Sequence, residues 1–578
     1  MFLRQAKSGS HTYLRLVENH RQGDKVRQRV VLHLGRKDLL APHLDSLVRL
    51  LQADDPSPRW VRAQQVATPQ AWTWGPVLAA RHLFDELALG PILDGPRRHL
   101  RHGQPLSERA FPLIANRLTR PGSEHALAEW LEDFYVCNRS GSRWQPQWKP
   151  WRRVKVSFDQ LRLWYQTLDD LRAAKARIEK EIYAQLRTLF SLRADLVFYD
   201  ITSTYFEGQG PAELARFGYS RDGKPRHHQI VMGVVMMDGW PIAHHVFAGN
   251  RLDQTTVMEV VRDLNQRFQL QRIVLVGDRG MVTLANLDQL RQGQQGYLVG
   301  LQRRNRQEVY DYIRAAQART DWQECPVGIT ASEKTPAPRT RVVEVAGRPP
   351  GARVFVVESE ERQQYERSLR QLSMERTRKN LEAIRARVER GELKEAEKIG
   401  AAAARALRAH HGSRYFAWQL EQGQLRYFEH PNLKREQALE GKYVIQTEEK
   451  NWSAVEAVAA YKELNEVERG FAHLKGWLEV RPIYHHGPER VEAHVFVAAL
   501  AFLLDRAMEK KLRAAGSPLS SPFAWRALES VRWVDVDLET QHKLCVSRGS
   551  THAAQILKGL GITQLNPPPP PTGEETVM

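Results

Sequence analysis

Apolar and polar residues alternate along positions 1–35, on either side of Arg21-Gln22-Gly23-Asp24. A period of two around a glycine turn predicts a β-hairpin, with Tyr13, Arg15 and Val17 facing Val26, Gln28 and Val30. From 36 to 190 the spacing of apolar positions becomes helical, with breaks at Pro56-Ser57-Pro58 and at Asn138-Arg139-Ser140-Gly141-Ser142. The period changes again over 191–304. The apolar run Leu196 to Tyr199 ends in Asp200, and two further strand candidates follow, Gln229 to Met237 and Pro241 to Ala248. Asp238-Gly239 between them is a strong hairpin turn. Thr255 opens a helix with Val257, Val260, Val261, Leu264 and Phe268 on one face. A strand from Ile273 to Gly277 then ends in Asp278, Leu284 to Arg291 reads as a helix, and Tyr297 to Leu301 reads as a strand.

Three strands in a meander, followed by helix, strand, helix and strand, is the layout of an RNase H-like core. The predicted fold class is therefore α/β. A mixed sheet flanked by helices carries a large insertion and follows a mainly helical N-terminal region that begins with the hairpin. The expected divisions are the hairpin at 1–35, a helical region at 36–190, the first part of the core at 191–304, an insertion at 305–440, the second part of the core at 441–515, and a C-terminal extension at 516–578. The insertion contains strand candidates at Arg341 to Val345 and Val354 to Val357. It also contains a long charged helical stretch with Tyr365, Leu369, Leu372, Leu381, Ile384 and Val388 as its apolar positions. That stretch reads as a solvated helical hairpin packed on the core, in preference to a DNA-binding arm. Lys442 to Thr447 resumes as a strand, and Glu456 to Trp477 and Val491 to Leu512 read as helices. The proline run from Pro567 to Pro571 opens a tail expected to be disordered.

Composition narrows the class of partner. With 85 Lys and Arg against 67 Asp and Glu, the 578-residue chain carries a net charge of +18. A surplus of that size favours polyanions through counterion release. Cys137, Cys325 and Cys545 are scattered, which argues against a disulfide framework or a structural zinc and for a reducing compartment. The opening residues lack the apolar stretch of a signal peptide, and the longest apolar run, Val495 to Leu504, is about half the length that crosses a bilayer. A cytoplasmic protein acting at the nucleoid, with no membrane partner, is the expectation.

The candidate chemistry lies in three acids. Asp200 and Asp278 each end an apolar strand, and Glu468 sits on a helix. Carboxylates aimed by strand ends and closed by a helix converge on hard divalent cations, and such ions drive phosphoryl transfer. Tyr461 lies seven residues before Glu468 and Lys475 seven after it, which is almost two helical turns each way. All three are expected on one face. Glu463 and Glu466 would point away from that face.

The segments Asp200-Ile-Thr-Ser-Thr-Tyr-Phe-Glu-Gly208, Gly277-Asp278-Arg-Gly280-Met281 and Tyr461 to Lys475 resemble the three active-site blocks of bacterial DDE insertion-sequence transposases. The last resembles the group signature Tyr-x2-Arg-x3-Glu-x6-Lys, matching at Tyr461, Glu468 and Lys475 and departing at Leu464. The group's β-rich insertion between the second Asp and the Glu also has its counterpart in the long gap between Asp278 and Glu468. The resemblance spans roughly 190–510 and takes in Arg481-Pro-Ile-Tyr484-His and His494. It implies a DNA transposase that cuts transposon ends and transfers strands, using two Mg²⁺ ions (Mn²⁺ as an alternative) held by Asp200, Asp278 and Glu468. It implies phosphate contacts from Tyr461 and Lys475, a homodimer in the synaptic complex, and terminal inverted repeats and target DNA as partners.

Further cations near these blocks are DNA-contact candidates: Arg279, and Arg221 and Lys224 in the loop Gly218 to Arg226. That loop reads equally as a turn with solvated charges. The aromatic and basic stretch Trp144 to Lys155 either follows a DNA backbone or packs a connector. Trp452 reads as core packing before base stacking. Adjacent histidines at 227–228, 244–245 and 485–486 point to opposite faces of a strand, which disfavours chelation by a pair. Two rival functions stay open: an RNase H-like nuclease without strand transfer, and a non-catalytic DNA-binding remnant of a transposase.

Overall fold

The computed structural model describes residues 2–22, 25–43, 66–96, 103–146, 158–190, 196–270, 272–278, 283–301, 307–326, 338–348, 351–538 and 542–569. The chain divides into two compact units, one of residues 1–71 with 533–546, the other of 72–532 with 547–578.

The first unit begins with an antiparallel sheet of β1 (Phe2–Ser8), β2 (His11–Gln22) and β3 (Lys25–Arg36). The predicted hairpin is β2–β3, and β1 is an additional strand. The pairing differs from expectation. Val17 does face Val30, but Tyr13 faces Arg36, Arg15 faces His33, Asn19 faces Gln28 and Arg21 faces Val26. The two-residue connection between Gln22 and Lys25 sets the register, and irregularities at Leu14/Arg15 and Leu16/Val17 shift it further out. β4 (Ala67–Thr73), β16 (Arg532–Asp537) and β17 (His542–Val546) form a second three-stranded sheet, whose strands lie in regions where the pattern predicted none.

The second unit is built on a nine-stranded mixed sheet. The strands are β5 (Leu196–Tyr205), β6 (Gln229–Met237), β7 (Trp240–Ala248), β8 (Val274–Gly277), β9 (Gly296–Gly300), β10 (Gln323–Glu324), β11 (Thr340–Ala346), β12 (Arg353–Ser359) and β15 (Lys442–Thr447). Their order is β10-β11-β12-β15-β9-β8-β5-β6-β7. β5, β6 and β7 form the antiparallel meander, and β8 and β9 continue parallel to β5. Asp238 and Gly239 close the β6–β7 turn with φ of 47° and 74°, the left-handed pair that a tight hairpin requires. Every residue of β6 is buried between β5 and the edge strand β7, and from Ile230 to Met237 it carries no polar side chain.

The segment predicted as an insertion contributes β10, β11 and β12 to this same sheet through β15. Beyond β12, helix Glu360–Glu389 and helix Ala396–Ala409 form a hairpin. With the β13 (Phe416–Glu421) and β14 (Gln424–Glu429) pair, they enclose a separate small core of Leu381, Ile384, Val388, Ile399, Phe416 and Leu425. Tyr365, Leu369 and Leu372 stay exposed. The returning helix has 14 residues against 30 and covers only the distal part of the longer one.

Helices Gly75–Glu86, Leu106–Thr119 and Phe158–Phe190 supply most of the helical region before the sheet. The Asn138–Ser142 turn forms as predicted, with the Asn138 side chain accepting from the Ser142 N–H at 2.8 Å. Trp144 packs against Trp164 with ring centres 5.0 Å apart, while 147–157, Pro56 to Pro58 and 570–578 lie outside the described residues. Glu179 fastens the Phe158–Phe190 helix to the sheet edge. It is buried, accepts from Lys175 Nζ at 3.0 Å and from the His244 backbone N–H at 3.1 Å, and pairs with Arg267.

Candidate active site

Sheet register brings the first two acids together. In the parallel β5–β8 ladder, Leu196 faces Val274, Val197 faces Leu275 and Phe198 faces Val276. Asp200 and Asp278 each stand two residues beyond that last pair, at equivalent positions on neighbouring strands. Asp278 follows the end of β8, as predicted. Asp200 does not end its strand: β5 runs on to Tyr205, because β6 continues to pair with it as far as Tyr205↔Gln229. Asp200 therefore sits where β5 has lost its β8 neighbour but keeps its β6 one. Its Oδ1 accepts from the Ile201 N–H at 2.7 Å.

Glu468 lies on a helix that packs on β5 and is firmly held from behind. The predicted helix Glu456 to Trp477 is divided at Glu463 into Ala454–Lys462 and Leu464–Gly476. The second part buries Leu464, Val467, Gly470, Phe471 and Leu474. A Cβ on Gly470 would stand 2.7 Å from the Phe502 ring, so glycine lets this helix approach helix Pro488–Ala514 closely. Arg506 binds Glu466 at 2.8 Å, and His473 Nδ1 lies 2.7 Å from the buried Asp505. These contacts occupy the back of the helix and leave Glu468 exposed.

The three acids act on one another electrostatically. Burial raises the Asp200 carboxyl to about 7, and the charges of Asp278 and Glu468 push the same way. The Ile201 N–H and Arg221 oppose that rise. Glu468 is raised as well, by burial first and by Asp278 second. Asp200 thus lies on the floor of an open acidic site, partly reached by solvent but ringed by protein atoms.

The predicted cations are placed unevenly. Lys475 Nζ donates to Asp222 Oδ1 at 2.7 Å, and Arg481 binds the same oxygen. Arg221 grips Asp253 through both carboxylate oxygens at 2.7 and 2.6 Å, and its backbone N–H donates to Ser203 Oγ at 2.9 Å. The Gly218–Arg226 loop is therefore pinned by ion pairs at Arg221 and Asp222, while Lys224 and Arg226 stay exposed as in a turn with solvated charges. Lys224 lies 5.7 Å over the Tyr205 ring, and Arg279 falls outside the described residues. Tyr461 belongs to the helix before the Glu463 interruption and stacks on Tyr443 with ring centres 5.9 Å apart. The seven-residue step from Tyr461 to Glu468 crosses that interruption, so the single-face argument holds only from Glu468 to Lys475. Leu464, where the signature has Arg, is buried in the packing.

Three acids of this kind suit a hard divalent cation. Their oxygens are the ligands such an ion prefers, and an ion would offset the burial and the repulsion that raise Asp200 and Glu468. Among the described residues, the group whose ligand atoms all lie within 4.8 Å of one another is a different one: Glu124, His485 and His494. It joins residues far apart in sequence rather than neighbouring histidines. His494 Nε2 meets the Val480 carbonyl at 3.0 Å, and Arg117 meets its Nδ1 at 3.1 Å. Burial, with Arg117 beside it, drives the His494 imidazole down to about 3. A metal there would have to displace the Arg117 guanidinium. Asp200, Asp278 and Glu468 do not share that tight spacing. A pair of ions about 3.5–4 Å apart needs a wider acidic mouth than a single-ion cage.

Asp222, Asp253 and Arg481 were not singled out as site residues from the sequence. Only their long-range pairing marks them, and no local spacing announces it.

This arrangement of sheet, helix and acids coincides with a family match. Residues 193–504 match the transposase DDE domain model, which covers more than half of the chain. The chain belongs to the DDE transposases and is a DNA transposase. Residues 3–58 match the model of the IS1634 family transposase N-terminal domain, which makes it one of the insertion-sequence type. No curated protein matches the chain. No helix among the described residues is long and apolar enough to cross a membrane.

Proposed function

We propose that this transposase cuts the ends of its element by metal-dependent phosphoryl transfer and joins the freed 3′-hydroxyls to target DNA. Asp200, Asp278 and Glu468 would hold two Mg²⁺, with Mn²⁺ as the alternative. The observation that carries this reading is the register that sets Asp200 and Asp278 at equivalent positions on neighbouring strands, with Glu468 on the helix packed against β5. Bound ions would supply Lewis-acid stabilisation of the attacking and leaving oxygens. The chain supplies the rest. β5 and β8 aim the two aspartates, and the clamped Leu464–Gly476 helix sets the height of Glu468. Arg221 moderates the charge beside Asp200. Lys475, Tyr461, Arg221, Lys224 and Arg279 would contact the DNA backbone.

The antiparallel β7-β6-β5 meander, continued by parallel β8 and β9, supports an RNase H-like core. The N-terminal residues to 190 would bind the terminal inverted repeats, and a homodimer would hold both ends. A nuclease that cuts without joining would use the same acids, so products decide between the two. Pre-cut terminal DNA should be joined by the protein to a supercoiled plasmid in Mg²⁺, giving nicked and linear products. Cleavage without any joined product would establish the nuclease reading instead.

A further inference from the structure

Lys475 and Arg481 converge on a single oxygen. Lys475 Nζ stands 2.7 Å from Asp222 Oδ1, and Arg481 Nη1 binds the same atom. The Asp222 side chain is 3% exposed, while Lys475 is 11% and Arg481 30% exposed. Asp222 Oδ2 is buried and meets no donor. One carboxylate thus holds two cations from beneath with one oxygen, and the group keeps a surplus positive charge on its outer side. Arg481 presents further N–H donors there, in the fork that suits a phosphate.

The position of this group connects it to the acids. The chain after Arg481 runs beside the end of β5: Ile483 N–H donates to the Tyr205 carbonyl, and Glu207 N–H donates to the Ile483 carbonyl, each at 3.0 Å. Arg221, next to Asp222 in sequence, acts electrostatically both on Asp200 and on Lys475. Arg481 also lines a cleft of about 530 Å³ with Arg117, Ser123, Tyr484 and His485 and with the carboxylates Glu124 and Glu479. Arg481 thus stands both in the ion-paired group with Lys475 and at the wall of this cleft.

We propose that Arg481, with Lys475, forms a two-cation seat for one phosphate of the DNA strand at the active site, and that Asp222 is the positioning residue that fixes their spacing. This rests on the reading that Lys475 faces DNA.

The test is binding of the full-length protein to a duplex carrying its element's terminal repeat, without divalent metal, over a range of salt. Each duplex phosphate contact contributes about 0.9 to the slope of log affinity against log salt. Arg481→Ala should weaken binding and flatten the slope by about 1, and Arg481→Lys should restore the slope. Asp222→Asn should keep the binding but slow cleavage in Mg²⁺, a split that a merely structural carboxylate would not give. If Lys475→Ala flattens the slope and Arg481→Ala does not, the seat is overturned and the Lys475 reading survives. If neither changes it, the DNA-facing reading of this side fails as well. Should Arg481→Ala fail to fold, Arg481→Lys decides through cleavage: an unchanged rate overturns the seat, since lysine lacks the guanidinium fork.

Discussion

Asp200 carries a cost that the fold tolerates for the sake of its chemistry. Its carboxyl is raised to about 7 by burial and by its two acidic neighbours. Between the ordinary carboxylate range and 7, the folded protein keeps a proton that the unfolded chain has released. Raising the pH through that window therefore lowers stability, and the loss is complete above it. Asp200→Asn removes the penalty. In the absence of divalent cations the variant should melt above the wild type at about pH 8, by at most about 4 kcal/mol, and the gap should close toward about pH 4. A calorimetric pH series reads this directly. The buried imidazoles act in the opposite sense. Burial drives His244 down to about 4, with Lys175 reinforcing it. The unfolded chain takes up that proton first as the pH falls, so stability present above the usual histidine range is lost on the way down to about 4. Asp200, Asp278 and Glu468 were legible in the sequence because they sit in recognisable strand and helix settings. Asp222 was not, since its meaning lies in partners that are distant along the chain.

Elements hold these residues in place, and two of their joints can be tested. Glu179 ties the Phe158–Phe190 helix to β7 through His244 and to helix Asp253–Phe268 through Arg267. Glu179→Ala removes a buried acceptor shared by Lys175, the His244 N–H and Arg267, and although Arg267 keeps Asp263 and Lys175 keeps the His244 carbonyl, it should cost about 1–3 kcal/mol in a denaturant titration. Gly470 permits the close approach of the glutamate helix to Phe502. Gly470→Val should cost about 1–3 kcal/mol by overpacking and should slow DNA cleavage out of proportion, because it moves Glu468. Most strands and helices of the second unit were readable from period and turn chemistry. The break at Glu463 was not, because apolar spacing runs straight through it. The extent of β5 was also misjudged. Thr202, Ser203 and Thr204 are polar yet buried, so an apolar run ends in the sequence before the strand ends in space.

At the scale of the molecule, the α/β class and the succession of strands and helices from Leu196 to Gly300 were legible in the sequence pattern, but the full width of the sheet was not. The segment after Asp278 reads as an interruption along the chain, yet β10, β11 and β12 extend the same nine-stranded sheet. Strand pairing across so long a separation leaves no local mark. The net charge of +18 and the family match both direct this protein to DNA. The acids at the end of β8 and along β5, with Glu468, would hold the metal that cuts DNA. The most direct measurement is cleavage of the element's terminal DNA in Mg²⁺ by the wild type and by Asp278→Ala, with melting curves for both. Asp278 is exposed and adds to the repulsion at Asp200, so the variant should melt no lower than the wild type and still bind DNA. A specific end nick that disappears in that folded variant is the predicted result. Equal cleavage by both proteins would contradict the account.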